Sequence, residues 1–179
     1  GARIPASARR LDLTGKWLIP GFVDTHVHLP VGPNRSHVLN QLLSFGITAM
    51  RVPVGGVTAL RDSIERGETI APTVRTAGDM IDADDAVFPY AVRVHDEAGV
   101  RREVRRQAAL RVDFIKLYTG LPPDLAAAAI DEAHAHGLKV IGHLGRTTWG
   151  EAAASGIDAL THSYIAGLAP SIVPAAERE

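Results

Sequence analysis

The sequence predicts an α/β fold built from repeated βα units around a parallel sheet. Three observations predict it. Short apolar runs alternate with Ala-rich amphipathic stretches along the body of the chain, the order that gives parallel strands joined by crossover helices. A helix-closing Gly precedes a strand three times, in Gly46-Ile47-Thr48-Ala49-Met50, Gly137-Leu138-Lys139-Val140-Ile141 and Gly156-Ile157-Asp158-Ala159-Leu160, a weak internal repeat. In the last two copies a His follows six residues after the Gly, at His143 and His162. Those are strand C-termini, where α/β folds place their chemistry.

The elements follow in order. Residues 1–16 stand apart, with 10–16 reading as a strand and turn. Residues 17–29 are the first apolar run. A helix is expected over 36–45, capped by Ser36, with Val38, Leu39, Leu42 and Leu43 on one face and Gly46 closing it. Residues 47–52 form the second strand, 58–66 a short helix ending at Gly67, and 72–77 the third strand. Residues 96–110 read as a helix with Val100, Val104 and Ala108 inward and a solvated Arg face. The fourth strand is 114–118. A helix over 122–136 opens on Pro and closes at Gly137. The fifth strand is 138–144, a short helix covers 148–155, and the sixth strand is 157–163. Residues 170–179 read as the start of another helix.

Composition removes several function classes. The 179 residues carry 19 Lys plus Arg against 20 Asp plus Glu, too little positive charge for a nucleic-acid footprint. No run of apolar residues is long enough to span a membrane. No basic start leads into an apolar stretch as in a signal peptide, so a cytoplasmic location is expected. The absence of Cys excludes disulfides, thiolate metal sites and a Cys nucleophile. Any metal must then use His, carboxylate or modified Lys. Of the 19 basic residues 16 are Arg and three are Lys, which makes a Lys inside an apolar run conspicuous.

Asp24-Thr25-His26-Val27-His28 ends the first apolar run. Side chains at i and i+2 on a strand share a face, so His26 and His28 can reach one divalent metal; two structural histidines are the bland alternative. In Phe114-Ile115-Lys116-Leu117-Tyr118, alternation puts Phe114, Lys116 and Tyr118 on one face. If Ile115 and Leu117 pack on helices, Lys116 points inward, where a charged amine is costly unless paired or chemically changed. A neutral amine can take up CO2 as a carbamate with two oxygens able to bridge metals. The alternative is a Lys snorkelling at the strand end. His143 and His162 complete the set. His37, His95, His134 and His136 lie at or beside helices and read as structural.

These residues resemble the amidohydrolase superfamily. Gly21-Phe22-Val23-Asp24-Thr25-His26-Val27-His28, then Lys116, His143 and His162, are closest to its binuclear branch, which includes prolidase-like dipeptidases and imidazolonepropionase-like enzymes. The resemblance implies an incomplete (β/α)8 TIM barrel over 17–179, holding strands one to six, with 1–16 a remnant of a flanking small β-sandwich region. It implies two divalent metals, most often zinc. His26 and His28 would bind the more buried one, carbamylated Lys116 would bridge, and His143 and His162 would bind the more exposed one. A hydroxide shared by the metals would attack the carbonyl of a small-molecule amide, cyclic or dipeptide-like. Mononuclear deaminase relatives usually lack the bridging Lys, so Lys116 argues against deamination.

The same resemblance expects a proton-transferring Asp at the end of an eighth strand. No Asp matches it: Asp24 belongs to the first motif and Asp113 precedes the fourth strand. The chain therefore reads as a fragment, expected to associate with the missing part of its barrel or with another copy, and to be inactive alone. A non-catalytic metal-binding scaffold is a second reading. A lactonase or phosphotriesterase-like hydrolase is a third. Tyr118, Arg146 and Tyr164, with Arg51, are the candidate substrate contacts.

Overall fold

The computed structural model describes residues 3–162. In chain order the elements are β1 (Phe22–Asp24), α1 (Asn34–Ser44), β2 (Ile47–Val52), α2 (Thr58–Glu65), β3 (Thr73–Thr76), β4 (Ile81–Asp82) and β5 (Val92–Arg93). They continue with α3 (Glu97–Ala109), β6 (Phe114–Leu117), α4 (Pro123–Ala135), β7 (Lys139–Gly142), α5 (Trp149–Ala154) and β8 (Ala159–Leu160). Every strand pairing is parallel. Tyr164, the end of the expected sixth strand and the expected helix at 170–179 lie outside the described residues.

The single six-stranded sheet expected from the sequence is corrected to two. One has the order β1-β2-β3 and the other β5-β4-β6-β7-β8, joined by an isolated parallel bridge between Ala77 and Phe114. The run from β3 into β4 changes partner on the way: it pairs with β2 up to Thr76 and with β6 from Ala77 onward. The first run is also shorter than expected. Only Phe22–Asp24 is strand; Pro20 has no N–H to donate to a ladder, and the chain bends after Asp24. The strand expected over 10–16 does not form; Asp12 instead accepts hydrogen bonds from the Thr14 N–H and hydroxyl.

Helix ends follow local chemistry. α1 begins at Asn34 after Pro33, with no side-chain cap, so Ser36 lies inside it. Asp96 caps α3 by accepting from Gly99 N, and Thr148 with Glu151 forms a capping box on α5. Gly46, Gly67, Gly137 and Gly156 all take positive φ after helices, the left-handed conformation that glycine adopts freely. On α3, Gln107 is buried in addition to Val100 and Val104, and its amide donates to Asp79 O and to Glu103. The expected solvated Arg face is an ion-pair lattice: Arg101 and Arg105 reach Glu132 on α4, and Arg106 reaches Glu103 and Asp79.

The largest core lies between the outer sheet face and α3 and α4, where Ile115, Leu117 and Val140 pack with Val100, Val104 and Ile130. A second packs Leu39 and Val57 on Met50, Val52 and Val74. The inner face holds a small cluster of Ala77, Phe114 and Ile141. β1 and β8 each have one strand neighbour among the described residues. Beside β1, Trp17 is 96% and Leu18 86% exposed, apolar surface of the kind an unpaired sheet edge presents. No helix among the described residues is long and apolar enough to cross a membrane.

Candidate active site

Strand ends on one side of the sheet bring five expected donors to one place. After β1 the chain turns because Asp24 Oδ1 accepts from His26 N at 3.1 Å. Val27 N then donates to Arg51 O at 3.0 Å, and Arg51 Nε donates back to Thr25 O at 2.7 Å. This pins the segment against the end of β2. His26 and His28 leave it with their Nε2 atoms 3.1 Å apart, so the convergence expected from their spacing forms even though the segment is a bend and not a strand.

Lys116 sits in β6, all four residues of which are buried. Ile115 and Leu117 face the helices, so Lys116 faces inward, at 2% exposure. Its Nζ donates to Thr161 Oγ1 at 3.0 Å, and Thr161 Oγ1 donates to Gly142 O at 2.9 Å. The Nζ stands 5.9 Å from the Tyr118 ring centre. No ion pair to Lys116 forms among the described residues. Burial, with a smaller push from Arg51, lowers its pKa to about 7, so the amine loses its proton far more readily than an exposed Lys.

His143 is held beyond β7 by its N–H donating to Leu117 O at 3.0 Å. His162 follows β8 at φ 64, an uncommon conformation for a residue with a side chain, though His is among those enriched there. The His26 and His162 ring centres are 4.9 Å apart, and those of His143 and His162 4.6 Å. Burial, then the neighbouring Lys116 charge, lowers the pKa of His26 and of His143 to about 4, and lowers that of His28. At neutral pH these three imidazoles are neutral, the form that binds metals. Among the described residues no group of three or more His, Cys, Asp or Glu side chains is gathered tightly enough to be a ready-made metal cage.

A cavity of about 170 Å³ lies between these side chains, with Tyr118 also on its wall. Met80, Phe88 and Tyr90 complete the wall. No motif or periodicity marks these three, nor Thr161, in the sequence. Among the described residues no carboxylate lines the cavity. Arg146 is exposed and outside it, with its N–H on Thr119 O. Arg51 and Asp113 line a separate hollow, with Lys139 and Asp158. The histidines expected to be structural all stay away from the cavity: His134 meets Asp158, His136 meets Glu132, His95 meets Asp84, and His37 is exposed on α1.

The amidohydrolase family model matches residues 17–173. The chain belongs to the amidohydrolase family. Curated relatives include an imidazolonepropionase of Pseudomonas paraeruginosa, 30% identical over 141 residues, covering 69% of this chain and 34% of that protein. An uncharacterized protein of Mycobacterium tuberculosis is 26% identical over 160 residues, 78% of this chain and 42% of that one. The chain thus spans less than half the length of these relatives. Among solved structures, a prolidase complexed with N-methylphosphonate-L-proline superposes with TM-score 0.75 at 23% identity, over 89% of this chain and 51% of that chain. A bottromycin amidohydrolase gives 0.73 at 25%, over 89% and 36%. The fold is the α/β fold of these amidohydrolase barrels, and this chain covers about half of the prolidase chain.

Proposed function

We propose that this chain carries the metal-donor side of an amidohydrolase active site, and that the complete site hydrolyses an amide bond in a small cyclic amide or dipeptide-like molecule. The observation that carries this reading is Lys116, enclosed at 2% exposure with no ion pair among the described residues and with histidines gathered around it. A buried amine without a counter-charge is a liability to the fold, and a chemical role accounts for its retention.

Amidohydrolases generally bind metals, and this donor set fits divalent ions of the zinc type: imidazoles on two sides and a Lys that readily becomes neutral between them. His26 and His28 would hold one ion, and His143 and His162 the other. Lys116 would add to CO2, its nitrogen forming a bond to the carbon as one C–O π bond opens and one proton is released, and the resulting carbamate would be the anionic donor shared by both ions. When bound, the metals supply Lewis acidity that polarises a carbonyl and acidifies water. Thr161 steers the Lys116 side chain, and Tyr118 forms the wall beside it. The relatedness to a prolidase and to imidazolonepropionases favours a carbon–nitrogen bond as the target. The carboxylate that must carry a proton to the leaving nitrogen would come from further strands that pair the edges of β1 and β8, supplied by the rest of the barrel or by another copy.

A cavity wall with no carboxylate among the described residues favours one second reading, a metal-binding scaffold without turnover. A panel of dipeptides, hydantoins and lactones, assayed with zinc and again after chelation, separates the two. Hydrolysis of an amide member once the barrel is completed, lost on chelation and restored by zinc, is the expected result. Turnover indifferent to the chelator contradicts the metal reading. Metal binding with every substrate left intact supports the scaffold, and lactone turnover alone reassigns the bond cleaved.

A further inference from the structure

We propose that the segment 83–91 builds an aromatic clamp at the mouth of the donor cavity, selecting small molecules that carry a flat, uncharged ring beside the bond to be cleaved. The proposal rests on reading this cavity as the substrate site and deepens it by naming the substrate class.

The chain is poor in aromatic residues, with 4 Phe, 3 Tyr and 2 Trp in 179 residues. Three of these nine, Phe88, Tyr90 and Tyr118, line this one cavity. They form a continuous series of ring contacts. Phe88 and Tyr90 stack with centres 5.1 Å apart at 25°, and Phe88 meets Tyr118 at 5.4 Å and 59°. Tyr118 in turn lies edge-on to His143 at 4.8 Å. Rings therefore run from the cavity mouth to the donors themselves.

Core packing does not account for this placement. Neither Phe88 nor Tyr90 belongs to any of the buried clusters, and Tyr90 is 62% exposed. The backbone nonetheless holds the segment in place. Ala91 N donates to Phe88 O at 3.1 Å and Val92 N to Met80 O at 2.8 Å. The buried Asp82 Oδ1 accepts from Ala83 N and Gly120 N at 2.9 and 2.8 Å, tying the start of the segment to the turn after β6. Rings presented on a braced segment bind a partner ring with little ordering cost.

The wall also excludes a charged selector. Among the described residues neither a guanidinium nor a carboxylate lines the cavity, and Lys116 is its one cationic amine. An anionic group on the substrate beside the rings would lose water with no guanidinium among the described residues to replace it. A flat apolar ring gains the stacking that the series of rings offers.

The test compares two probes that differ only in this group, N-benzoylglycinamide and N-acetylglycinamide, by calorimetric titration of the zinc-loaded and the chelated protein. The benzoyl probe is expected to bind about tenfold more tightly. That preference should fall below about twofold in both Phe88→Ala and Tyr90→Ala. It should persist in Phe45→Ala, which removes an exposed ring elsewhere. Tyr90 stands mostly in solvent, so its variant is expected to fold even if the Phe88 variant does not. Equal affinities in the parent protein, or a preference that survives Tyr90→Ala, overturn the clamp. Binding needs no turnover: a benzoyl preference retained alongside chelator-indifferent turnover sinks the metal reading and leaves the clamp standing.

Discussion

Lys116→Met is expected to abolish turnover and at the same time to stabilise the metal-free fold. The two effects share one cause. Met fills nearly the same volume without the amine, so the apolar contacts of β6 persist while the buried charge disappears. Turnover should fall about 10³-fold or more, because losing a donor that positions the reacting ions raises the barrier by about 4 kcal/mol. The stability gain follows from the pKa. The unfolded chain holds the Lys proton up to its ordinary value of 10.5, whereas the folded site releases it near 7. Between those values the unfolded state binds more protons, so stability of the metal-free parent rises with pH from about 7 to about 10.5. At pH 7 and below, the buried amine costs of order 3–5 kcal/mol, and the Met variant escapes that cost. Thermal melts of both proteins in chelator across this range check it: the parent should climb and the variant stay flat over the same interval. A Met variant that melts lower than the parent at pH 7, or that still turns over substrate, contradicts the role given to Lys116.

Asp113→Ala is expected to cost about 1.5–3 kcal/mol, the loss of charge-assisted hydrogen bonds at a mostly enclosed carboxylate. Asp113 accepts from Arg61 at 3.1 Å, from Arg75 at 2.9 Å and from Thr76 N at 2.9 Å. Arg61 is 6% exposed and also donates to Arg111 O at 2.7 Å. Without Asp113 it keeps Asp62 on its own helix, but α2 loses its charged tie to the strand that carries Lys116. Urea unfolding measures the loss. Arg75→Ala, which removes a largely exposed partner, should cost under about 1 kcal/mol. Equal losses for Asp113→Ala and Arg75→Ala would show that the pair with Arg61 contributes nothing special.

Much of this arrangement was legible in the sequence, for identifiable reasons. The strand expected at 47–52 forms over those same residues, because a Gly closes the helix before it and a Pro follows it. Alternation across 114–118 put Ile115 and Leu117 against the helices and Lys116 on the inner face, as the core contacts and burial have it. Other features carried no periodic signal. Ile81–Asp82 and Val92–Arg93 are two residues each, too short to show a period. They become strands because the β3–β4 run changes partner at Ala77. Phe88 and Tyr90 sit on an irregular segment, so only folding reveals that they stack and that Phe88 meets Tyr118. Thr161 reads as an ordinary strand residue until its hydroxyl is seen between Lys116 and Gly142 O. Arg146 stands exposed and off the cavity wall, because closeness to His143 in sequence does not set the direction of a side chain in a turn.

Counting metals on the zinc-equilibrated protein tests the central claim most directly. Elemental analysis after exhaustive dialysis should give about two divalent ions per chain in the presence of bicarbonate, the stoichiometry of a bridged two-metal site. The count should drop in His26→Ala and His143→Ala. Carbon-13 bicarbonate should add a carbamate resonance that Lys116→Met removes. A parent protein that retains no metal and shows no carbamate signal would contradict the account.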